Sequence, residues 1–229
     1  MKQHLNRRRF LAAAGTVAAT GALAGATQSA EAAPAGKATK IIGVACSPRK
    51  GLTTAKAVQA ALDAAKAVDP GITVELIDLG GLDIAGWRGK SQPIDDFTPL
   101  LPKLEDPALG GLIIGSPSYF RSISSLCKAF IERCAPLRTP KMLLADKPLG
   151  VVAVGGSRNG GQELIISQIQ TAMLCFGMIP VGGHAPAFQG ATLVSANDSI
   201  SEDEPGLKTA QMTGRRVGEV VLHLARKDA

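Results

Sequence analysis

Hydroxyls, cations and a glycine crowd one short stretch, Cys46-Ser47-Pro48-Arg49-Lys50-Gly51-Leu52-Thr53-Thr54, between the apolar run Lys40–Cys46 and a helix-like segment starting at Thr54. At a strand-to-helix junction the free backbone N–H groups and the positive end of the helix dipole face the loop. Ser47, Thr53 and Thr54 add hydroxyls, and Arg49 or Lys50 adds charge, so a phosphate is the anion such a turn favours. Neither G-x-x-x-x-G-K-[ST] nor G-x-G-x-x-G is present, which excludes a Walker-type or common dinucleotide loop. The same residues also describe a plain helix start, capped by Thr53 and flanked by solvated cations.

Two further turns have the composition of a ligand site. Gly115-Ser116-Pro117-Ser118-Tyr119-Phe120-Arg121-Ser122 follows an apolar run, and Pro117 stops it. Tyr119 and Phe120 are two of the chain's few aromatic residues, so they either cover the end of a sheet or meet a planar ligand. Gly155-Gly156-Ser157-Arg158-Asn159-Gly160-Gly161 leaves backbone N–H groups unobstructed, either for the polar edge of a flat ring or simply as a flexible loop.

These turns need elements to hold them. The runs Lys40–Cys46, Ile72–Asp78, Gly110–Gly115, Pro148–Gly156 and Gly177–Gly183 are short, rich in β-branched residues and bounded by Gly or Pro, and they read as strands buried on both faces. Between them lie helix-length segments, Thr54–Val68, Phe97–Leu104, Ser124–Cys134, Gly161–Phe176 and Pro205–Arg226. Strands alternating with helices predict an α/β three-layer sandwich of flavodoxin-like type, with a five-stranded parallel sheet in the order 2-1-3-4-5. In such sheets ligands sit outside the carboxyl ends of the strands where the order reverses, here between the first and third strands.

Composition narrows the possible functions. The 229 residues suit one domain plus an N-terminal extra, and 45% hydrophobic with 19% charged residues is a globular balance. Of the net charge of +6, half belongs to Lys2, Arg7, Arg8, Arg9 and Glu31 at the front; the rest carries no basic stripe, which excludes a nucleic-acid surface. Four cysteines (Cys46, Cys127, Cys134, Cys175) form no C-x-x-C and are expected to be buried free thiols. Cys127 and Cys134, seven apart on a helix, are about 10 Å from each other, too far for a disulfide. His184 and His223 are isolated and read as structural, with no metal site expected. Asp95 and Asp96 suit the start of a helix at Phe97. Ser116 lacks the G-x-S-x-G context of a hydrolase nucleophile.

The first residues have their own logic. A charged start, a weakly apolar stretch from Phe10 to Ala26 and the A-x-A site at Ala30-Glu31-Ala32 predict a signal peptide over 1–32, a linker over 33–39 and the folded domain over 40–229. Arg7-Arg8-Arg9-Phe10-Leu11 resembles a twin-arginine signal, which serves proteins exported already folded, often with a cofactor inserted. A periplasmic or other extracytoplasmic location is therefore expected, with no membrane span after cleavage.

Taken together, "SPRKGLTT", "GSPSYFRSISSLCKAFIER" and "GGSRNGGQE" resemble the three flavin loops of the NADPH-dependent FMN reductase and iron–sulfur flavoprotein superfamily. The tail "SEDEPGLKTAQMTGRRVGEVV" is similar to that family's last helix. The resemblance implies bound FMN, with NAD(P)H a possible donor. It assigns the FMN phosphate to Ser47, Arg49, Thr53 and Thr54, the ribityl chain and ring to Pro117, Ser118, Tyr119 and Phe120, and the polar ring edge to the third turn with Gly155, Gly156, Arg158, Gly160 and Gly161; Lys50 and Arg121 are further candidate cofactor contacts beside the first two sets. Relatives with an iron–sulfur cluster carry a compact cysteine motif after the second strand, whereas here "GGLDIAGWRGKSQPIDDF" has no cysteine, which excludes that cluster. Trp87 and Arg88 of this insert either cover the flavin, meet a neighbouring subunit or form a surface loop. The implied function is an exported FMN-binding oxidoreductase, a homodimer or homotetramer, passing hydride or electrons between partners. Export favours an envelope carrier such as a quinol as donor. The alternatives are a flavodoxin-like electron carrier and a non-catalytic flavin-binding or interaction protein.

Overall fold

The computed structural model describes residues 39–89 and 92–226; the expected signal peptide and nearly all of the linker lie outside them. Four long strands run parallel: β1 (Thr39–Ala45), β2 (Ile72–Asp78), β3 (Leu109–Pro117) and β4 (Pro148–Gly155). Thr39, placed in the linker from sequence, is the first residue of β1. The pairing runs β2-β1-β3-β4-β5, with Ile42 opposite Leu112 and Ile114 opposite Val151.

The fifth position of the sheet is shared by two segments. β5 (Ile179–Pro180) pairs with Pro148 and Leu149, and β6 (Ala191–Val194) pairs with Val152–Gly155 at the other end of β4. Sequence reading placed one strand at Gly177–Gly183. The ladder stops after the Val181 N–H donates to the Leu149 carbonyl, and the chain turns at His184–Ala187, where the Ala187 N–H donates to the His184 carbonyl.

Alternate residues of the central strands feed two cores, as period-2 geometry requires. Ile42, Val44, Leu112, Ile114, Val151 and Ala153 face α3 (Ser125–Arg133) and α4 (Gln162–Leu174), together with the short α2 (Leu101–Leu104) and the 3-10 turn before it. Ile41, Ala45, Ile113, Val152 and Val154 face α1 (Thr53–Lys66) and α5 (Glu204–Ala225). On the first side Phe130 is fully buried and meets Phe97 edge-on, ring centroids 5.9 Å apart. On the second side the helices approach until a Cβ on Gly214 would lie 1.8 Å from the Ala61 carbonyl oxygen, so only glycine fits there.

Candidate cofactor cleft

Each of β1, β3 and β4 ends in one of the three turns singled out above, so parallel pairing alone gathers them at one end of the sheet. The first turn is pinned from below. Asp78, the last residue of β2, accepts the Gly51 N–H at 2.7 Å and the Gly80 N–H at 2.9 Å. Ser47 is buried, and its Oγ accepts the Arg49 N–H at 3.2 Å, which folds the turn back on itself. The cap position of α1 is Leu52, with extended backbone and no side-chain cap, so Thr53 does not cap the helix. The N-terminus of α1 therefore keeps its donors facing the turn, with Thr53 and Thr54 buried in its first turn.

The second turn is a tight reversal. Tyr119 and Ser122 exchange backbone hydrogen bonds of 3.0 and 2.9 Å around Phe120 and Arg121, both left-handed at φ 52° and 61°. Such a conformation strains a large side chain, and strain of this kind concentrates at functional sites. Tyr119 lines the cleft, whereas Phe120 stands fully in solvent.

The third turn is stitched to the second. Ser118 Oγ donates to the Gly160 carbonyl at 2.6 Å, and Arg121 Nη1 donates to the Asn159 carbonyl at 3.1 Å. Gly161, at φ 95°, comes so near that a Cβ would sit 3.0 Å from Arg121 Cα. Below them, Ser124 Oγ donates to the Cys46 carbonyl at 2.6 Å and accepts the Cys127 N–H at 3.0 Å, while the Ser124 N–H donates to Ser116 Oγ at 3.1 Å. This capping serine joins the ends of β1 and β3 to the start of α3.

Between the turns lies a cleft of about 460 Å³. Arg49 and Thr53 line it from the first turn, Pro117, Ser118 and Tyr119 from the second, and Gly155 and Gly156 from the third. Ser195, Asn197 and Asp198 complete the wall, and sequence reading missed all of them. They follow β6, where the Ser195 N–H donates to the Gly155 carbonyl at 2.8 Å and Asn197 and Asp198 (φ 48° and 56°) make a two-residue turn between Ala196 and Ser199. The Asn-Asp pair is the local signal for that turn, since these residues tolerate left-handed backbone. Asp198 ion-pairs with Arg49 Nη1; its hydrogen bond and charge, with the Tyr119 hydroxyl close by, hold the guanidinium above its ordinary value.

The other expected residues do not line the cleft. Ser47 and Thr54 are buried supports, and Lys50 points outward from an exposed position. Phe120 and Arg121 form the tip of their turn, and Gly160 and Gly161 serve the contact between turns. Arg158 pairs instead with Asp203, the cap of α5. Burial works to raise the Asp203 carboxyl, but the Val194 N–H, Arg158 and the Gly206 N–H outweigh it and hold the group below its ordinary value.

The insert after β2 is fastened to α3. Arg133, almost wholly buried, pairs with Asp95, donates to the Pro93 carbonyl at 3.1 Å and lies 5.1 Å over the Phe97 ring. Asp95 is thus held by a buried guanidinium as well as by the Phe97 N–H, 3.0 Å away at the start of the short 3-10 turn. The Trp87 N–H donates to Glu132 Oε2 at 2.7 Å and its ring is half exposed. Cys46, Cys127 and Cys134 are buried, as expected, but Cys175 is exposed. His184 Nε2 lies 2.6 Å from Glu219 Oε2 on the α5 surface. Among the described residues no helix is long and apolar enough to cross a membrane. A second groove of about 590 Å³ runs between the C-terminal half of α1 and α5, remote from the strand ends and from the three turns.

The comparisons with known proteins agree with this geometry. The family profile of NADPH-dependent FMN reductase matches residues 39–192. An iron-sulfur flavoprotein of Methanocaldococcus jannaschii is 38% identical over 192 residues, covering 80% of this chain and 97% of the relative. An NAD(P)H dehydrogenase (quinone) of Caulobacter vibrioides is 30% identical over 62% of this chain and 77% of its own. Among solved structures a flavone reductase superposes with a TM-score of 0.61 at 21% identity, over 81% of this chain and 64% of the other, which shows the shared fold. The chain belongs to the NADPH-dependent FMN reductase family and is an FMN-dependent oxidoreductase with a flavodoxin-like fold.

Proposed function

We propose that this oxidoreductase works outside the cytoplasm, exported already folded with its flavin, and that the cleft at the ends of β1, β3 and β4 holds the FMN. The observation that carries the cofactor assignment is the donor set at the first turn. An uncapped helix N-terminus, the hydroxyl of Thr53 and the guanidinium of Arg49 converge on one wall, which suits a phosphomonoester. The cleft's volume lies within the range of small-molecule sites.

On this reading Thr53 and Arg49 hold the phosphate, with Ser47 and Asp78 fixing the turn that presents them. Pro117 and Tyr119 orient the middle of the cofactor and keep water from one side of it, while the open position at Gly156 leaves room for a ring edge. FMN, when bound, supplies the redox chemistry, and the protein supplies position and electrostatics. A nicotinamide is the first donor to test, because the family and the Caulobacter relative are both named for one. Export would separate the protein from soluble nicotinamide nucleotides, and a quinol would then take that part.

Protein expressed with its leader should carry flavin absorption, and a colourless protein that takes up no added FMN would end this reading. Cell fractionation of wild type and an Arg8→Lys/Arg9→Lys variant tests export: cofactor-loaded protein should move from the periplasm to the cytoplasm. Stopped-flow bleaching by NADPH, NADH and a quinol identifies the donor.

A further inference from the structure

Among the described residues that line the cleft, Arg49 is the only cation and Asp198 the only acid, and the two are paired across 149 residues of chain. The phosphate reading gives that same guanidinium to the ligand. We propose that Asp198 is a competing counter-ion for Arg49, one that weakens the grip of the cleft on a phosphomonoester and so keeps the bound flavin exchangeable. The inference rests on the FMN assignment made above.

The position of Asp198 is built rather than incidental. Its turn is fixed at both ends, by the Ser195 N–H on the Gly155 carbonyl and by the reciprocal bonds between Ala196 and Ser199. Left-handed backbone at Asn197 and Asp198 directs the tip over the cleft. The two other aspartates paired with an arginine, Asp95 and Asp203, also accept backbone N–H groups, whereas among the described residues the Asp198 carboxylate is held by Arg49 alone. Its carboxylate can therefore be exchanged without orphaning a backbone donor.

A phosphate brought to Arg49 must either share the guanidinium with Asp198, as two anions side by side, or displace the carboxylate into water. Either event costs affinity. Because the side chains of Arg49 and Asp198 are about half exposed, at 44% and 59%, screening keeps the penalty modest. Thr53 and the start of α1 are left to hold the phosphate when the arginine is engaged.

The test is a titration of the flavin-stripped full chain with FMN and with riboflavin, which lacks the phosphate, followed by flavin fluorescence. Asp198→Asn removes the charge at constant shape, and asparagine is at home in left-handed backbone, so the turn survives. Asp198→Gly provides a second variant that also accepts that conformation. Both should bind FMN about 1.5- to fivefold more tightly than wild type, the scale of one exposed charge pair. Riboflavin affinity should not change, and the gain should vanish in an Arg49→Ala background. Equal or weaker FMN binding by both variants would overturn the proposal, because Asp198 would then be positioning Arg49. A wild type that binds FMN no better than riboflavin would instead overturn the phosphate assignment, and this inference with it.

Discussion

Ser124 Oγ donates to the carbonyl oxygen of Cys46 at 2.6 Å, so the residue that leads into the first turn is held by the cap of a helix 78 residues later in the chain. The same hydroxyl accepts from Cys127, and all three groups are buried. Ser124→Ala removes both bonds and leaves the Cys46 carbonyl without this donor in the core. A loss of about 1–2 kcal/mol in chemical denaturation is expected from the cap alone, together with weaker FMN binding. Ser124→Thr keeps the hydroxyl and should recover most of both.

Gly161 joins the second and third turns by absence of bulk. With φ at 95° and Arg121 Cα only 3.0 Å from a hypothetical Cβ, Gly161→Ala is doubly disfavoured. Its cost in stability is expected to exceed about 1 kcal/mol. The effect on flavin should be larger than that figure suggests, because the displaced turn carries the Ser118–Gly160 bond with it. Thermal melts with and without FMN separate the two: the ligand-induced rise in Tm should shrink in the variant.

Arg133 and Asp95 predict a pH dependence. Burial works against the Asp95 charge, but Arg133 and the Ala85 and Phe97 N–H groups hold the carboxyl below its ordinary value. Its folded pKa is thus lower than its unfolded one, so its contribution is complete above about pH 4 and is lost as pH falls through the folded value. Asp95→Asn should flatten stability against pH below about 4. Breaking the pair from the other side, Arg133→Met, strands a nearly buried carboxylate and should cost about 3 kcal/mol or more by urea denaturation at neutral pH.

Thiol chemistry should report the fold directly. Burial pushes the Cys46 and Cys134 thiols up, and only Cys175 is exposed. A thiol reagent at pH 8 should therefore titrate one group in the native protein and four after denaturation. Rapid native reaction of a second thiol would place Cys46, Cys127 or Cys134 nearer solvent than the core packing allows.

The strands β1, β3 and β4 were legible because a parallel strand buried on both faces must be apolar at every position, and such runs stand out between Gly and Pro. The three turns were legible for the same reason, since each begins where a run stops. β6 was not: its four residues, Ala191–Val194, are too few to show a period, and their partner is the far end of β4. Arg158 misled because a cation in a glycine-rich turn suggests an anion ligand, while its actual partner, Asp203, lies 45 residues on. The Arg49–Asp198 pair leaves no local trace at all, since neither residue's neighbours hint at the other.

The glycines of α5 give the site its mechanics. With Gly214 against the Ala61 carbonyl and Gly218 against that of Ala65, backbone approaches backbone at two points along the pair of helices. α1 is consequently a braced strut, unable to slide along its axis without moving the whole C-terminal helix. Thr53 is therefore presented to the cleft from a helix that is buttressed along its length.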